Sequence, residues 1–327
     1  MKSTTHEADL RHLRVLMPAR TGPAPAAVLS RGRTALLNEI AGTPPPRRTR
    51  LLPQALAAAL VLVVAGILVT AGLVGRPGSE PGDEPTALGA DAASTTFLRA
   101  AAAHVAATDL PVPAQDQYLY VSSLVLYNHG AFGGPVEVGR PKPRAIWLSQ
   151  GSGADDGARD VIRQDGQDWP IDYSGGSPAG IGRPTYAWLA ALPTDPTALL
   201  SRLRSEVLLA SGQSVDQAVF DRIGDLLRET TMPAATQAAL FEATTLIPGV
   251  TFVAHVKDAA GRAGVGVSRG DRSESTRSVW IFDSTGTRYL GDRSYQLSGS
   301  RDHPVEVLFA ASAVLGRAVV DRPHQVG

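Results

Sequence analysis

The chain has 327 residues, no cysteine, and equal numbers of basic and acidic residues, 31 of each, so its formal net charge is zero. The lack of cysteine excludes disulfide bonds, thiolate metal sites and cysteine nucleophiles. The neutral total conceals two oppositely charged parts. Residues 1–54 carry nine basic against three acidic residues, a charge of +6, and the remainder carries 22 against 28, a charge of −6. The acidic remainder argues against nucleic acid as a partner.

Residues 1–50 are predicted to form a basic cytoplasmic tail with two short helices. Leucine and valine recur at helical spacing in Glu7–Leu16, and a second such pattern runs through Ala26–Ile40, with Gly42 placed to end it. Two short helices bury little surface alone. Two interpretations therefore stay open: a partly disordered tail held near anionic lipid headgroups, or a docking segment that folds against a cytoplasmic protein.

Residues 51–75 are predicted to form one transmembrane helix. The twenty residues Ala55–Val74 contain no charge, and Thr70 is their only hydroxyl or amide side chain. At about 1.5 Å per residue, a helix of that length spans about 30 Å, the thickness of the hydrocarbon core. A cleaved signal peptide is the alternative, but its apolar core would be shorter and nearer the start. A buried core helix is the second alternative, although the segment is apolar on all sides.

Arginines on either side of this segment predict its orientation. Three precede it and one follows it: Arg47, Arg48, Arg50 and then Arg76. Because an excess of arginine near a crossing stays in the cytoplasm, the N-terminus is expected inside and the C-terminal domain outside the cell membrane. These membrane-flanking residues make membrane lipid an expected partner.

The remainder is predicted to consist of a flexible Pro- and Gly-rich linker, 76–91, and an extracytoplasmic domain, 92–327. Its helices are predicted at 92–107, 185–192, 196–207 after Asp195, 214–229 with a Ser214/Gln217 capping box, and 233–246. Its strands are predicted at 117–127, 144–149, 159–164, 250–256, 263–268, 277–282, 287–296 and 305–320, and its loops at 128–143 and 166–184. Short turns favour antiparallel pairing.

We therefore expect an α+β fold, an antiparallel curved sheet with helices packed on one face, plus the N-terminal transmembrane helix. The apolar stripes of the middle helices are assigned to core packing. An outer domain of about 230 residues is long enough to be held by an ordinary hydrophobic core.

The sequence offers no convincing catalytic constellation. Gly266–Gly270 matches G-x-S-x-G, but a nucleophile elbow needs a helix after the serine, and here another predicted strand follows Ser268. His255 alternates within a predicted strand and is interpreted as packed or solvent-facing. We expect no catalytic, cofactor-binding or metal-binding residues and hence no enzyme.

The tail EADLRHLRVLMP and RGRTALLNEIAG, followed by PRRTR and one crossing, resembles an actinobacterial family of single-pass membrane proteins with no established activity. PTYAWLAALPTDPTALL, LIPGV and VWIFDSTGTRYLGDRS in the outer part resemble the same family. The layout is similar to that of membrane-bound anti-sigma factors, although the absence of cysteine departs from the zinc-binding members. The resemblance implies an outer sensing or binding domain, for an apolar ligand or a protein, coupled to a tail that docks on a partner such as a sigma factor. The alternative is an envelope half-barrel that binds lipid or another apolar ligand.

Overall fold

The computed structural model describes residues 89–105, 112–130, 135–151, 160–171, 178–210, 213–271, 275–286, 288–300 and 303–327. The predicted tail 1–50, the predicted crossing 51–75 and its flanking residues Arg47, Arg48, Arg50 and Arg76 lie outside the described residues, as does most of the linker. Within the described part of the chain, none of the helices has the length and apolar character needed to span a bilayer.

The described residues form helices on an antiparallel sheet. The helices are α1 (Ala92–Val105), α2 (Tyr186–Ala190), α3 (Pro196–Glu206), α4 (Val215–Glu229) and α5 (Ala234–Thr245). The strands are β1 (Tyr118–Tyr127), β2 (Lys142–Ser149), β3 (Asp160–Gln164), β4 (Gln167–Ile171), β5 (Thr251–Lys257), β6 (Ala263–Asp271), β7 (Thr276–Phe282), β8 (Tyr289–Ser300) and β9 (His303–Val320). Their order in the nine-stranded sheet is β4-β3-β2-β1-β9-β8-β7-β6-β5. The prediction of an α+β fold with an antiparallel sheet is confirmed.

Side-chain caps explain where three of the helices begin. Thr185, Asp195 and Ser214 each accept a hydrogen bond from the backbone N–H three residues on, at 3.2, 2.8 and 3.2 Å. The second bond of the predicted capping box, from the Ser214 N–H to the Gln217 side chain, is not formed, so that part of the prediction is wrong. The Ser214 N–H donates instead to Asp271 Oδ2 at 2.9 Å, and the Gln217 side chain donates to Asp221 Oδ1 at 2.9 Å. A tertiary contact with β6 therefore replaces the local one.

One hydrophobic cluster joins the helices to the sheet. Strand residues at alternate positions contribute to it: Leu119, Val121, Ile146, Leu148, Ile162, Val267, Trp280, Phe282 and Val314. The helices contribute Leu98, Leu189, Leu199, Leu203, Phe220, Ile223, Leu240 and Phe241. Phe220 stacks on Trp280 with ring centroids 4.1 Å apart. The assignment of the helical apolar stripes to packing is therefore confirmed.

Strand β4 corrects the prediction of a loop over 166–184. Asp165 and Gly166 form the turn that precedes it, with φ of 53° and 74°, and the strand then pairs with β3. The strand includes Pro170, which has no N–H to donate to a neighbouring strand. Strand β4 lies at the edge of the sheet, where one row of N–H groups needs no partner strand.

The turn between β5 and β6 reaches strand β9, although β7 and β8 lie between them in the sheet. The Ala259 N–H donates to the Ser312 carbonyl at 3.1 Å. The Arg262 Nη2 donates to the carbonyls of Leu290 at 3.0 Å and Val314 at 2.8 Å. These bonds fix one end of the sheet against its centre.

Candidate functional site

The C-terminal end of α4 carries a charged network that bonds the helix to the sheet. Arg228 donates to Asp225 on its own helix and to Asp292 on β8. Next to it, Arg144 Nη2 on β2 donates to Glu229 Oε1 at 3.0 Å. Burying charges without partners costs several kcal/mol, so each arginine is held beside at least one carboxylate.

Tyr289, buried at the start of β8, belongs to the same network. Its phenol donates to Asp292 Oδ2 at 3.2 Å. Burial raises the pKa of Tyr289 well above its usual value, and the negative charge of Asp292 raises it further. Tyr289 therefore stays a neutral hydrogen-bond donor at physiological pH.

A cleft of about 340 Å³ opens beside Tyr289, where the end of α1, the junction of α4 and α5, and strands β8 and β9 meet. Its lining is partly apolar and partly polar: His104, Val105, Leu227, Thr230, Thr231, Met232, Gln237, Arg288, Tyr289 and Arg317. The volume lies at the lower end of the range of small-molecule sites, about 300–1,000 Å³. This cleft is the candidate functional site.

Arg317 positions the helix end that forms one wall of the cleft. Its Nη2 donates to the carbonyl of Leu227 and, at 3.2 Å, to the carbonyl of Arg228. The last carbonyls of a helix have no partner within the helix, so an arginine from β9 satisfies them here. Thr230 satisfies the Leu226 carbonyl with its N–H at 3.1 Å and its hydroxyl at 2.7 Å. The wall is therefore held by bonds from both the helix and the sheet.

A second polar cluster lies at the other end of α4. Asp221 Oδ1 accepts hydrogen bonds from Ser278 Oγ at 2.6 Å and Gln217 Nε2 at 2.9 Å. Arg269 Nη1 donates to Gln217 Oε1 at 2.6 Å. Burial raises the pKa of Asp221 to about 7, while the bonds from Ser278 and Gln217 oppose that rise. Asp221 therefore titrates near neutral pH in the folded protein.

The residues singled out from the sequence do not form a site together. Ser268 lies inside β6, is 1% exposed, and is followed by three more residues of the same strand, so the turn into a helix is not present there. His255 lies exposed on β5. Among the described residues, there is no group of three or more histidine, aspartate or glutamate side chains that could hold a metal ion.

No sequence pattern identified the charged network or the cleft. One signal for the network was present in β2. Alternate residues of a strand lie on the same face of the sheet, and Arg144 alternates with Ile146 and Leu148, two residues of the core. This spacing places the guanidinium on the helix-covered face. Its partner, Glu229, is 85 residues away in the sequence, and no local pattern links the two.

Comparison of the chain with protein-family models, with curated proteins and with solved structures finds no match. The described residues form an α+β domain with a nine-stranded antiparallel sheet and a small, partly polar cleft at its helix–sheet junction.

Proposed function

We propose that this chain is a single-pass membrane protein with a cytoplasmic N-terminus, an extracytoplasmic binding domain and a cytoplasmic tail that docks on a protein partner such as a sigma factor. The observation that carries the proposal is the uncharged segment Ala55–Val74, with arginines before it and acidic sequence after it. This charge distribution sets the orientation of a crossing. A tail of about fifty residues with two amphipathic segments gives the inner side a docking element.

The α+β domain supports the binding half of the proposal. Hydrogen bonds hold the walls of its cleft: Arg317 bonds to the end of α4, and the Arg228 network joins the same helix to β8. The cleft-lining residues include no carboxylate and no serine, and the Tyr289 phenol is engaged by Asp292. The Thr230 hydroxyl is likewise engaged, by the Leu226 carbonyl at 2.7 Å. We therefore favour binding over catalysis.

A lipid or apolar-ligand carrier is the second candidate, and one contact favours it. The bond from Ala259 to Ser312 joins the turn after β5 to β9 across two intervening strands, as a curved half-barrel sheet would require. However, fully buried side chains such as Leu119, Ile162 and Phe220 occupy the space between this sheet and the helices. A long acyl chain would have to displace them. The binding domain with a small cleft is therefore preferred.

The docking proposal is tested by purifying the tagged full-length chain from solubilised membranes of its native host after cross-linking. We expect a sigma factor in the eluate of the wild-type chain. The substitutions Leu13→Asp and Leu36→Asp place a charge in each predicted amphipathic segment and should abolish recovery. Arg99→Ala in the outer domain is the control and should leave recovery unchanged. Equal recovery from all variants, or no RNA polymerase component from any of them, would count against the docking tail.

A further inference from the structure

We propose that the cleft beside Tyr289 binds a small organic anion, in which a phosphate or carboxylate group is joined to a short apolar substituent. The inference rests on the proposed role of the outer domain as a binding module and names the ligand class for its cleft. Three features of the described residues support it: two polar side chains in the lining, two guanidinium groups and an apolar wall.

Thr231 and Gln237 are the two polar side chains that the lining offers to a ligand. Thr231 is only 7% exposed, lines the cleft, and makes no side-chain hydrogen bond to any of the described residues. The Gln237 side chain also lines the cleft and makes no hydrogen bond within the same part of the chain. Both groups can donate to an oxygen of a ligand.

Arg288 and Arg317 add positive charge at the same cleft. The Arg288 side chain is 70% exposed and has a loose ion pair, with 4.0 Å between its Nε and Asp283 Oδ2. Arg317 uses Nη2 to cap α4 and keeps its charge. Asp292, which contacts the cleft residue Tyr289, is bonded by both Arg228 and the Tyr289 phenol. The charge left at the mouth of the cleft is therefore positive.

The remaining wall is apolar and sets the size of the substituent. Val105, Leu227 and Met232 line it, and each is almost fully buried. A space of about 340 Å³ holds a single ring or a short chain beside the anionic group. Phenyl phosphate has this combination and is the probe of choice.

The test is isothermal titration calorimetry of the full-length chain in a non-ionic detergent. The titrants are phenyl phosphate, phenylacetate, inorganic phosphate and neutral benzyl alcohol. We expect saturable binding of phenyl phosphate that weakens as the sodium chloride concentration rises, weaker binding of inorganic phosphate and none of benzyl alcohol. A titration with dihexanoyl phosphatidylglycerol, below its micelle concentration, identifies the source of the anion. Tighter binding of that lipid than of phenyl phosphate indicates a lipid headgroup, and the reverse indicates a soluble anion.

Three substitutions locate the site. Thr231→Val and Gln237→Leu keep the side-chain volume and remove the donor, and Arg288→Ala removes an exposed charge without touching the core. Each should weaken binding of phenyl phosphate by about tenfold or more. Arg99→Ala is the matched control: its side chain is 64% exposed with one loose carboxylate partner, Glu242 at 3.6 Å, and it does not line the cleft. Its affinity should equal that of the wild type.

Two results would overturn the proposal: no saturable heat with any of the anions, or affinities that are the same in the three variants and in Arg99→Ala. Circular dichroism checks that each variant is folded, and Arg288→Ala keeps the test valid if a buried substitution unfolds the domain. Either negative result would leave the membrane orientation and the tail partner intact, because those are measured on other parts of the chain.

Discussion

Arg144 in β2 and Glu229 at the end of α4 form a buried ion pair, with 3.0 Å between Nη2 and Oε1 and only 2% and 11% of the two side chains exposed. The pair joins the β1–β4 half of the sheet to the helix that forms a wall of the cleft. Removing one partner of such a pair leaves an uncompensated buried charge, whereas replacing both can be nearly neutral.

Replacement of Glu229 should therefore destabilise the protein more than replacement of both partners. We expect Glu229→Met to lower the free energy of unfolding by about 3–5 kcal/mol, and Arg144→Met/Glu229→Met to recover a large part of that loss. Urea denaturation followed by tryptophan fluorescence measures both. Arg202→Ala, which breaks an exposed pair with Glu206, is the control and should cost less than about 1 kcal/mol. A double variant that is no more stable than Glu229→Met would contradict this account.

Asp221 should make the stability depend on pH. The folded protein holds this proton up to about pH 7, whereas the unfolded chain releases it near pH 4. The contribution of Asp221 to stability is therefore highest below about pH 4 and falls as the pH rises from there to about 7. Three pKa units correspond to at most about 4 kcal/mol.

The variant Asp221→Asn removes this titration, so its stability should vary less between pH 5 and pH 8 and should exceed that of the wild type at pH 8. Ser278→Ala removes a donor to the carboxylate and should extend the fall in stability to higher pH. Thermal unfolding at a series of pH values gives the comparison. If the stability of the wild type and of Asp221→Asn changed with pH in the same way, this explanation would be wrong.

Gly224 should resist the substitution that usually stabilises a helix. Replacing an interior helical glycine by alanine normally gains about 1 kcal/mol. Here a Cβ on Gly224 would lie 2.5 Å from Nε1 of Trp280, whose ring is buried and stacked on Phe220. We expect Gly224→Ala to destabilise the domain by about 1–3 kcal/mol. Trp280→Phe in the Gly224→Ala background makes room and should reduce the additional cost of the alanine. A melting temperature of Gly224→Ala above that of the wild type would refute the packing argument.

Asp258 should hold the β5–β6 turn against β9. Its side chain is fully buried and accepts from the N–H groups of Ala260 and Arg262, each at 2.9 Å, and from Arg262 Nε at 2.6 Å. We expect Asp258→Ala to cost about 2–4 kcal/mol and to expose the Ala259 N–H to hydrogen exchange, because the bond to Ser312 depends on the same turn. Asp283→Ala, which replaces a more exposed aspartate in the turn between β7 and β8, is the control. Unchanged protection at Ala259 would show that the turn is held by other contacts.

Local chemistry explains most of what the sequence predicted of this fold. Asp195 and Ser214 cap helices because their oxygens satisfy first-turn N–H groups, and the Asp165–Gly166 turn needs positive φ at both positions. Strand β4 lies in a stretch, 166–184, whose glycines and prolines predicted a loop. Pro170 is compatible with a strand at an edge, and the edge is decided by the order of the whole sheet.

The candidate site depends on distant residues and could not be predicted in the same way. Thr231, Gln237, Arg288 and Arg317 come together only because α4, α5, β8 and β9 pack at one junction. The spacing of Arg144 in β2 placed it on the core-facing side of its strand. The ion pair that it forms there needs Glu229, which a separate helix supplies. The polar residues of such sites carry no periodic pattern, since each element contributes one or two of them.

The central claim, that the chain crosses a membrane once with the α+β domain outside, is tested most directly by protease accessibility in spheroplasts of the native host. The account predicts that the chain stays in the membrane pellet after an alkaline carbonate wash. It also predicts that external proteinase K digests the outer domain and spares an epitope tag at residue 1. An uncleaved chain found wholly in the aqueous fraction, or a tag digested in intact spheroplasts, would contradict it.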